Sequence, residues 1–307
     1  MNRAKLDRRA LLNDSRLSAE WSGSGQMQRL VLELLLDHYE AGQIPTNGRF
    51  LFYELEQRGH VRKSGPNDKG RYGRNGVLPR EQNVINAHSE LRKRGIIPWA
   101  WIIDETRHLS DWDYADTVAE YVRNAVDWAR INPWPGEPPA ILVESRSLGG
   151  VLRDLAGDYL CPIAPTNVQV GGFLHTDVVP ILVDNDRPVK YIGDWDISGH
   201  QIENNTKAVL EKESGRTIEW TRIAITEEQI EERGIEPAWK TDDRYDPPKT
   251  HYAWEAEALG QGEIVSLVRE ALDELLLPKR LEDMREREQR QRERVAEVLD
   301  SLNLEDE

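Results

Sequence analysis

Three carboxylates stand where a strand would give way to a loop: Glu144 closes the run ILVE, and Asp194 and Asp196 lie in VKYIGDWDISG. Asp194 and Asp196 are two apart, so a strand continuing through Asp196 turns both side chains to one face. Gly193 and Gly199 permit sharp turns on either side. Three carboxylates gathered without basic partners repel one another unless a cation neutralises them. Oxygen ligands of this kind suit Mg²⁺ or Mn²⁺ rather than zinc. In phosphodiester chemistry such a metal polarises the phosphoryl oxygen and stabilises charge on the attacking and leaving oxygens. The plainer reading of the same residues is that Asp194 and Asp196 make a turn and cap the following helix.

Those residues sit in an alternating pattern. ILVE, PIAPT, VVPILVD, VKYIGDWD and IEWTRIAI read as strands, while SLGGVLRDLAG and SGHQIENNTKAVLEKE read as helices. That succession predicts an α/β fold with a mainly parallel sheet, and such sheets gather ligands beyond the carboxyl ends of their strands. A late helix is expected in QGEIVSLVREALDELLL, followed by a charged, solvated helical tail. Upstream the pattern is helical. QMQRLVLELLLDHY carries an apolar stripe stopped by Gly42 and Pro45, GRFLFYELEQR opens after the N-cap candidates Thr46 and Asn47, and residues 81–94 form a third helix before the extended IIPWAWIID. Three short helices and a strand resemble a winged helix, which holds DNA through a recognition helix and a basic wing, although the same layout also serves as a plain protein-interaction module. The expected division is an extension over 1–25, a winged-helix-like domain over 26–110, a connecting helix and Pro-rich linker over 111–139, the α/β domain over 140–278 and the tail over 279–307.

Composition narrows the class. The net charge of −15 is unevenly spread: residues 1–110 hold 18 Lys and Arg against 13 Asp and Glu. A nucleic-acid footprint therefore belongs in the N-terminal part, around Arg62, Lys63, Lys69, Arg71, Arg74, Arg80, Arg92, Lys93 and Arg94, where a solvated surface is the plainer alternative. One cysteine, Cys161, excludes an intramolecular disulfide and a multi-cysteine zinc site, and it reads as a core residue. No apolar run is long enough for a membrane span or a secretory signal, so a cytoplasmic location, with nucleoid association open, is expected. No GxxxxGK[ST] motif occurs, which excludes ATP hydrolysis by that route.

Strand-Glu-helix followed some fifty residues later by strand-DxDxxG-helix, here ILVESRSLGGVL and VKYIGDWDISGHQI, resembles the Toprim domain. With the winged-helix-like segment ahead of it and WEAEALGQGEIVSLVREAL behind it, the chain resembles the topoisomerase VI A subunit and the meiotic double-strand-break protein. RFLFYELEQRG and LRKRGIIPWAWIIDETR are similar to small bacterial mini-A proteins. Ile197 stands where the family has a proline, at a turn rather than at a ligand.

The resemblance implies metal ligation by Glu144, Asp194 and Asp196. It also implies a catalytic tyrosine at the end of Arg49-Phe50-Leu51-Phe52-Tyr53, with Tyr53 attacking DNA to form a phosphotyrosyl ester and Arg49 steadying the phosphate. Phe50 replaces a family aspartate, and packing of Tyr53 among Leu51, Phe52 and Leu55 is the plainer reading of that residue. Tyr72 and Tyr114 are secondary candidates, Arg146 and His200 candidate phosphate contacts, and Glu255 and Glu257 match acidic positions of the late motif in a structural or outer role. Double-stranded DNA, a homodimer pairing the tyrosine of one protomer with the metal of the other, and a separate ATPase subunit follow as implied partners. Three activities remain open: topoisomerase VI A-like cleavage, a Toprim nuclease using water, and a non-catalytic DNA-binding or assembly module.

Overall fold

The computed structural model describes residues 6–62, 81–103, 113–166, 178–183, 186–242 and 249–301. Its N-terminal region is helical. After the short α1 (Arg8–Leu12), α2 (Gly23–Ala41) begins at the N-cap Ser22, whose side chain accepts from Gly25, and ends at Gly42 with φ 78°. Next, α3 (Gly48–Gln57) is capped by Asn47, which accepts from Arg49 and Phe50, and α4 (Glu81–Lys93) closes the layer. These helices bury Val31, Leu32, Leu35, Leu51, Leu55, Val84 and Leu91 in one core. The stretch after α4, expected to be extended, instead makes a 3-10 turn at Trp99–Trp101, and a single parallel bridge joins Thr46 to Ile102. A Pro98 start and stacking of Trp101 on Tyr39 at 5.1 Å fix the turn, because burying that ring outweighs the β propensity of the run. The basic segment holding Lys63, Lys69, Arg71, Tyr72, Arg74 and Arg80 lies outside the described residues.

The C-terminal region is α/β. Among the described residues a four-stranded, all-parallel sheet runs β2-β1-β3-β4, from β1 (Ala140–Val143), β2 (Ile163–Pro165), β3 (Val189–Ile192) and β4 (Trp220–Ala224). The central strands β1 and β3 are buried along their whole length, as the inner strands of a covered parallel sheet should be; β1 is wholly apolar, while β3 carries the buried Lys190, which donates to Thr221. Helix α6 (Arg146–Asp158) follows β1; α8 (Ile197–Ser214) follows β3. Between α6 and α8, VVPILVD was expected to be a strand; its described part is α7 (Val179–Val183), packed through Val178 and Leu182 against the sheet. A short apolar run has no periodicity that separates a buried helix turn from a buried strand.

Past β4 come α9 (Glu227–Arg233) and then an antiparallel pair, β5 (Ala238–Asp242) with β6 (Lys249–Ala253), in which Lys240 faces His251. A 3-10 turn at Ala256–Leu259 leads into α10 (Gln261–Asp273). The tail forms α11 (Pro278–Ser301), a largely solvated helix that lies along α5 (Val118–Trp128) and takes the Ile131 amide on Glu288 at 2.8 Å. Cys161 is buried in the sheet core, and burial pushes its thiol up to about 12.

The two regions interlock at the 3-10 turn. Ala256 packs into the sheet core and Ala258 into the helical core. Phe50, fully buried, reaches from α3 into the sheet core among Trp134, Ile141 and Ile264. Hydrogen bonds reinforce the seam: Asn47 Nδ2 donates to the Ser147 carbonyl at 3.2 Å, Gln261 Nε2 to those of Gln43 and Pro45 at 2.8 and 2.9 Å, and Gln57 Nε2 to that of Ala258.

Candidate active site

The seam brings α3 against the carboxyl edge of the sheet. Position 50 faces the sheet core, so positions 49 and 53 on the same helix face the 255–257 segment. An aspartate at position 50 would be an unpaired buried charge; phenylalanine supplies the anchor that docks α3 there. Arg49 Nη2 donates to Glu255 Oε2 at 2.6 Å and Arg49 Nη1 pairs with Glu257 Oε1 at 3.2 Å. The Tyr53 hydroxyl also donates to Glu255 Oε2.

Asp194 and Asp196 arrive from the other side. β3 ends at Ile192, yet the next residues stay extended because Trp195 and Trp254 exchange backbone hydrogen bonds of 2.8 and 3.2 Å. Asp194 and Asp196 consequently share a face, as their spacing predicts. Asp194 Oδ1 accepts from the Ala256 amide at 3.0 Å; Asp196 Oδ1 caps α8 through the Gly199 amide at 2.7 Å. Capping and site-building are therefore both present in Asp196, one on each oxygen. The second oxygens, Asp194 Oδ2 and Asp196 Oδ2, converge on the Lys240 ammonium at 2.8 Å each, with Glu255 Oε1 at 3.7 Å. Glu144 Oε2 accepts from the Asp194 amide at 2.8 Å, which ties the end of β1 to the same point. Two glycines make this approach possible: a Cβ at Gly199 would collide with the Asp194 carbonyl, and one at Gly193 would stand 2.8 Å from the Tyr191 ring and 2.9 Å from Glu144 Oε2.

Five carboxylates thus gather around two cations, Arg49 and Lys240. The electrostatics record the crowding. Burial and the Asp194 charge push Glu144 up to about 7. Burial raises Glu257 as well, against the opposing pull of Arg49. Burial also resists ionisation of Asp196, but hydrogen bonds from Lys240 and the Gly199 amide override it and hold that carboxyl below its usual value. Lys240 and Arg49 stay protonated despite burial because their carboxylate neighbours outweigh the desolvation. Tyr53 is pushed far above the usual phenol value, first by burial and then by Glu255.

Among the described residues no group of three or more His, Cys, Asp or Glu side chains that could hold a metal ion is found; Asp194 and Asp196 converge on an ammonium instead. The donors still suit a hard cation. They are carboxylate oxygens in excess of their counter-charges, and Glu257 Oε2 is fully buried without a hydrogen-bond partner. A cleft of about 600 Å³ opens beside the cluster, lined by Tyr53, Gln57, Ile235, Ala253, Glu255 and Leu259.

Of the other sequence candidates, His200 lies edge-on to Trp195 at 4.5 Å and Arg146 opens α6, while Tyr114 is 85% exposed. Lys240 escaped the sequence reading. The signal available was a lysine between the β-favouring Trp239 and Thr241, AWKT against HYAW, since the alternation puts Trp239 and Tyr252 on one face of a hairpin and Lys240 and His251 on the other. Among known proteins, the chain matches no family model, no curated protein and no solved structure.

Proposed function

We propose that the chain is a metal-assisted DNA-cleaving protein of topoisomerase VI A-like type, with a winged-helix-like region carrying the nucleophile Tyr53 and a Toprim-like region carrying the acidic centre. One observation carries this reading: Tyr53 and Arg49 meet on Glu255, whose other oxygen faces the lysine that bridges Asp194 and Asp196. Residues distant in the chain, separately expected to supply a nucleophile and metal ligands, share one cluster beside a cleft.

Glu144, Asp194 and Asp196 would hold Mg²⁺ or Mn²⁺, which supplies charge stabilisation on phosphoryl oxygens when bound. The chain's own groups do the rest. Glu255 accepts the Tyr53 proton as the phenol oxygen forms its bond to phosphorus and the bond from phosphorus to the deoxyribose oxygen breaks. That oxygen leaves as a hydroxyl by taking a proton from solvent water, and the phosphotyrosyl ester conserves the bond for religation. Arg49 offers its guanidinium to the phosphate. In the resembling families the tyrosine works on the partner's metal; Tyr53 here lies on Glu255 of its own chain, which favours a site complete within one chain.

A hydrolytic nuclease is the second reading, favoured by the deep burial of Tyr53 and its strongly disfavoured ionisation. Incubation with supercoiled plasmid and Mg²⁺ or Mn²⁺, followed by denaturation, separates the two. A protein–DNA adduct lost in Tyr53→Phe supports the transesterase. Cleavage without an adduct, retained in Tyr53→Phe and lost in Asp194→Ala, supports hydrolysis.

A further inference from the structure

We propose that Lys240 is a built-in counter-ion that a divalent cation must displace, so that the β5–β6 hairpin reports and gates metal occupancy of the acidic centre. The inference rests on the metal reading above and adds a device to it.

The geometry leaves little choice. Asp194 Oδ2 and Asp196 Oδ2 both point at the Lys240 ammonium from 2.8 Å, and their remaining oxygens are committed to the backbone amides of Ala256 and Gly199. A cation using this carboxylate pair takes the oxygens that Lys240 now holds. An ammonium and a divalent ion cannot share that space, and the charge repulsion between them is strong at so short a separation. Exchange is also chemically reasonable: a lysine contributes one charge on a flexible four-carbon stem, whereas a divalent ion contributes two to a cluster whose carboxylates outnumber their counter-charges.

Lys240 sits in the middle of β5, so its release is felt by the hairpin. The strand pair rests on its own ladder, and its outer face is an aromatic pair, Trp239 with Tyr252 at a 4.1 Å centroid separation, each about half exposed. The inner face holds His251, whose Nε2 is buried without a hydrogen-bond partner. Withdrawing the ammonium removes the contacts that pin β5 to Asp194 and Asp196, and it frees a cation at the mouth of the site for an incoming phosphate.

The test is Mn²⁺ binding by calorimetry to the full chain, to Lys240→Gln, to Lys240→Arg and to Asp194→Asn, with hydrogen exchange of β5 and β6 followed in the unmodified chain with and without saturating Mn²⁺. If the lysine-out state is a tenth or less of the population, Lys240→Gln binds Mn²⁺ about tenfold tighter or more. Lys240→Arg does not, Asp194→Asn loses binding, and exchange in β5 and β6 accelerates when Mn²⁺ binds. Equal or weaker binding by a folded Lys240→Gln overturns the displacement while leaving the metal site standing. Unchanged exchange in the unmodified chain at saturation overturns it as well, without depending on any variant. Absence of Mn²⁺ binding by every form overturns the metal site itself and the displacement with it.

Discussion

Around α2, α3 and α4 the buried polar side chains are Gln28, His38, Thr46, Asn47 and His88; at the carboxyl edge of the sheet they are Asp194, Asp196, Glu255 and Glu257. The first set is made of amides, a hydroxyl and imidazoles: Asn47 caps α3, Gln28 accepts from the Ser18 amide and His38 pairs with Glu54. The second set is anionic, crowded and short of counter-charge. Burying charge costs far more than burying an amide, and a chain that keeps it does so against stability. The contrast is what the proposed function needs, a helical scaffold beside a charged sheet edge, with α3 belonging to both: Leu51 and Leu55 face the helical core, Phe50 the sheet core, and Arg49 and Tyr53 the carboxylates.

The comparison breaks most visibly if substitutions in the two regions have the same consequence. Asp194→Ala and Tyr53→Phe are expected to drop adduct formation on plasmid DNA to background while the thermal melt stays cooperative; a persistent adduct in either separates that residue from the chemistry. Leu91→Ala, in the helical core and fully buried, is expected to cost about 3 kcal/mol in denaturant unfolding and to leave Mn²⁺ affinity unchanged. A change in affinity there would mean that scaffold and site are not separable.

The pH responses should run in opposite senses. Glu144 has a folded value near 7 against 4.5 for the free group, so the folded chain binds more protons in that interval and loses stability from this group as pH rises from about 4.5 to 7. Glu144→Gln is expected to raise the metal-free melting temperature by a few degrees above pH 7, and saturating Mg²⁺ to narrow the gap. His88 is held down to about 4 by burial and by Arg92, from an ordinary 6.5, so here the unfolded chain binds more protons. Its contribution is complete above about 6.5 and is lost as pH falls towards 4. His88→Gln should flatten that acid limb, the smallest of these effects, read by melts across pH 4 to 7.

Much of this was legible in the residues. The helices around Leu32, Leu51 and Leu91 follow from apolar spacing and from Asn47 and Gly42 at their ends, and the parallel strands from the buried runs AILV and VKYI. Glu144, Asp194 and Asp196 were singled out by the pattern of strand, Glu and helix followed by strand, DxDxxG and helix, and the structure brings all three together, with Asp196 also serving the plainer role of helix cap. Tyr53 and Arg49 were reached through resemblance; their meeting with Glu255 depends on Phe50 and Ala256 entering a core built from residues far away in the chain, which no local pattern encodes. Lys240 was missed for the same reason: the alternation of AWK and HYAW can place it on one face of a hairpin, but nothing local says that its partners lie more than forty residues upstream. The helix at Val179–Val183 was misread because five apolar residues fit either secondary structure.

The central claim is that Tyr53 and the carboxylates of the same chain form one cleavage site. Co-expressing a Tyr53→Phe chain with an Asp194→Ala chain and purifying them together puts it to the most direct test, with covalent protein–DNA adduct as the readout in the presence of Mg²⁺. A site complete within one chain predicts no adduct from the mixture, while the unmodified chain forms one. Recovery of adduct by the mixture would contradict the account, because it would require the tyrosine of one chain to work on the carboxylates of another.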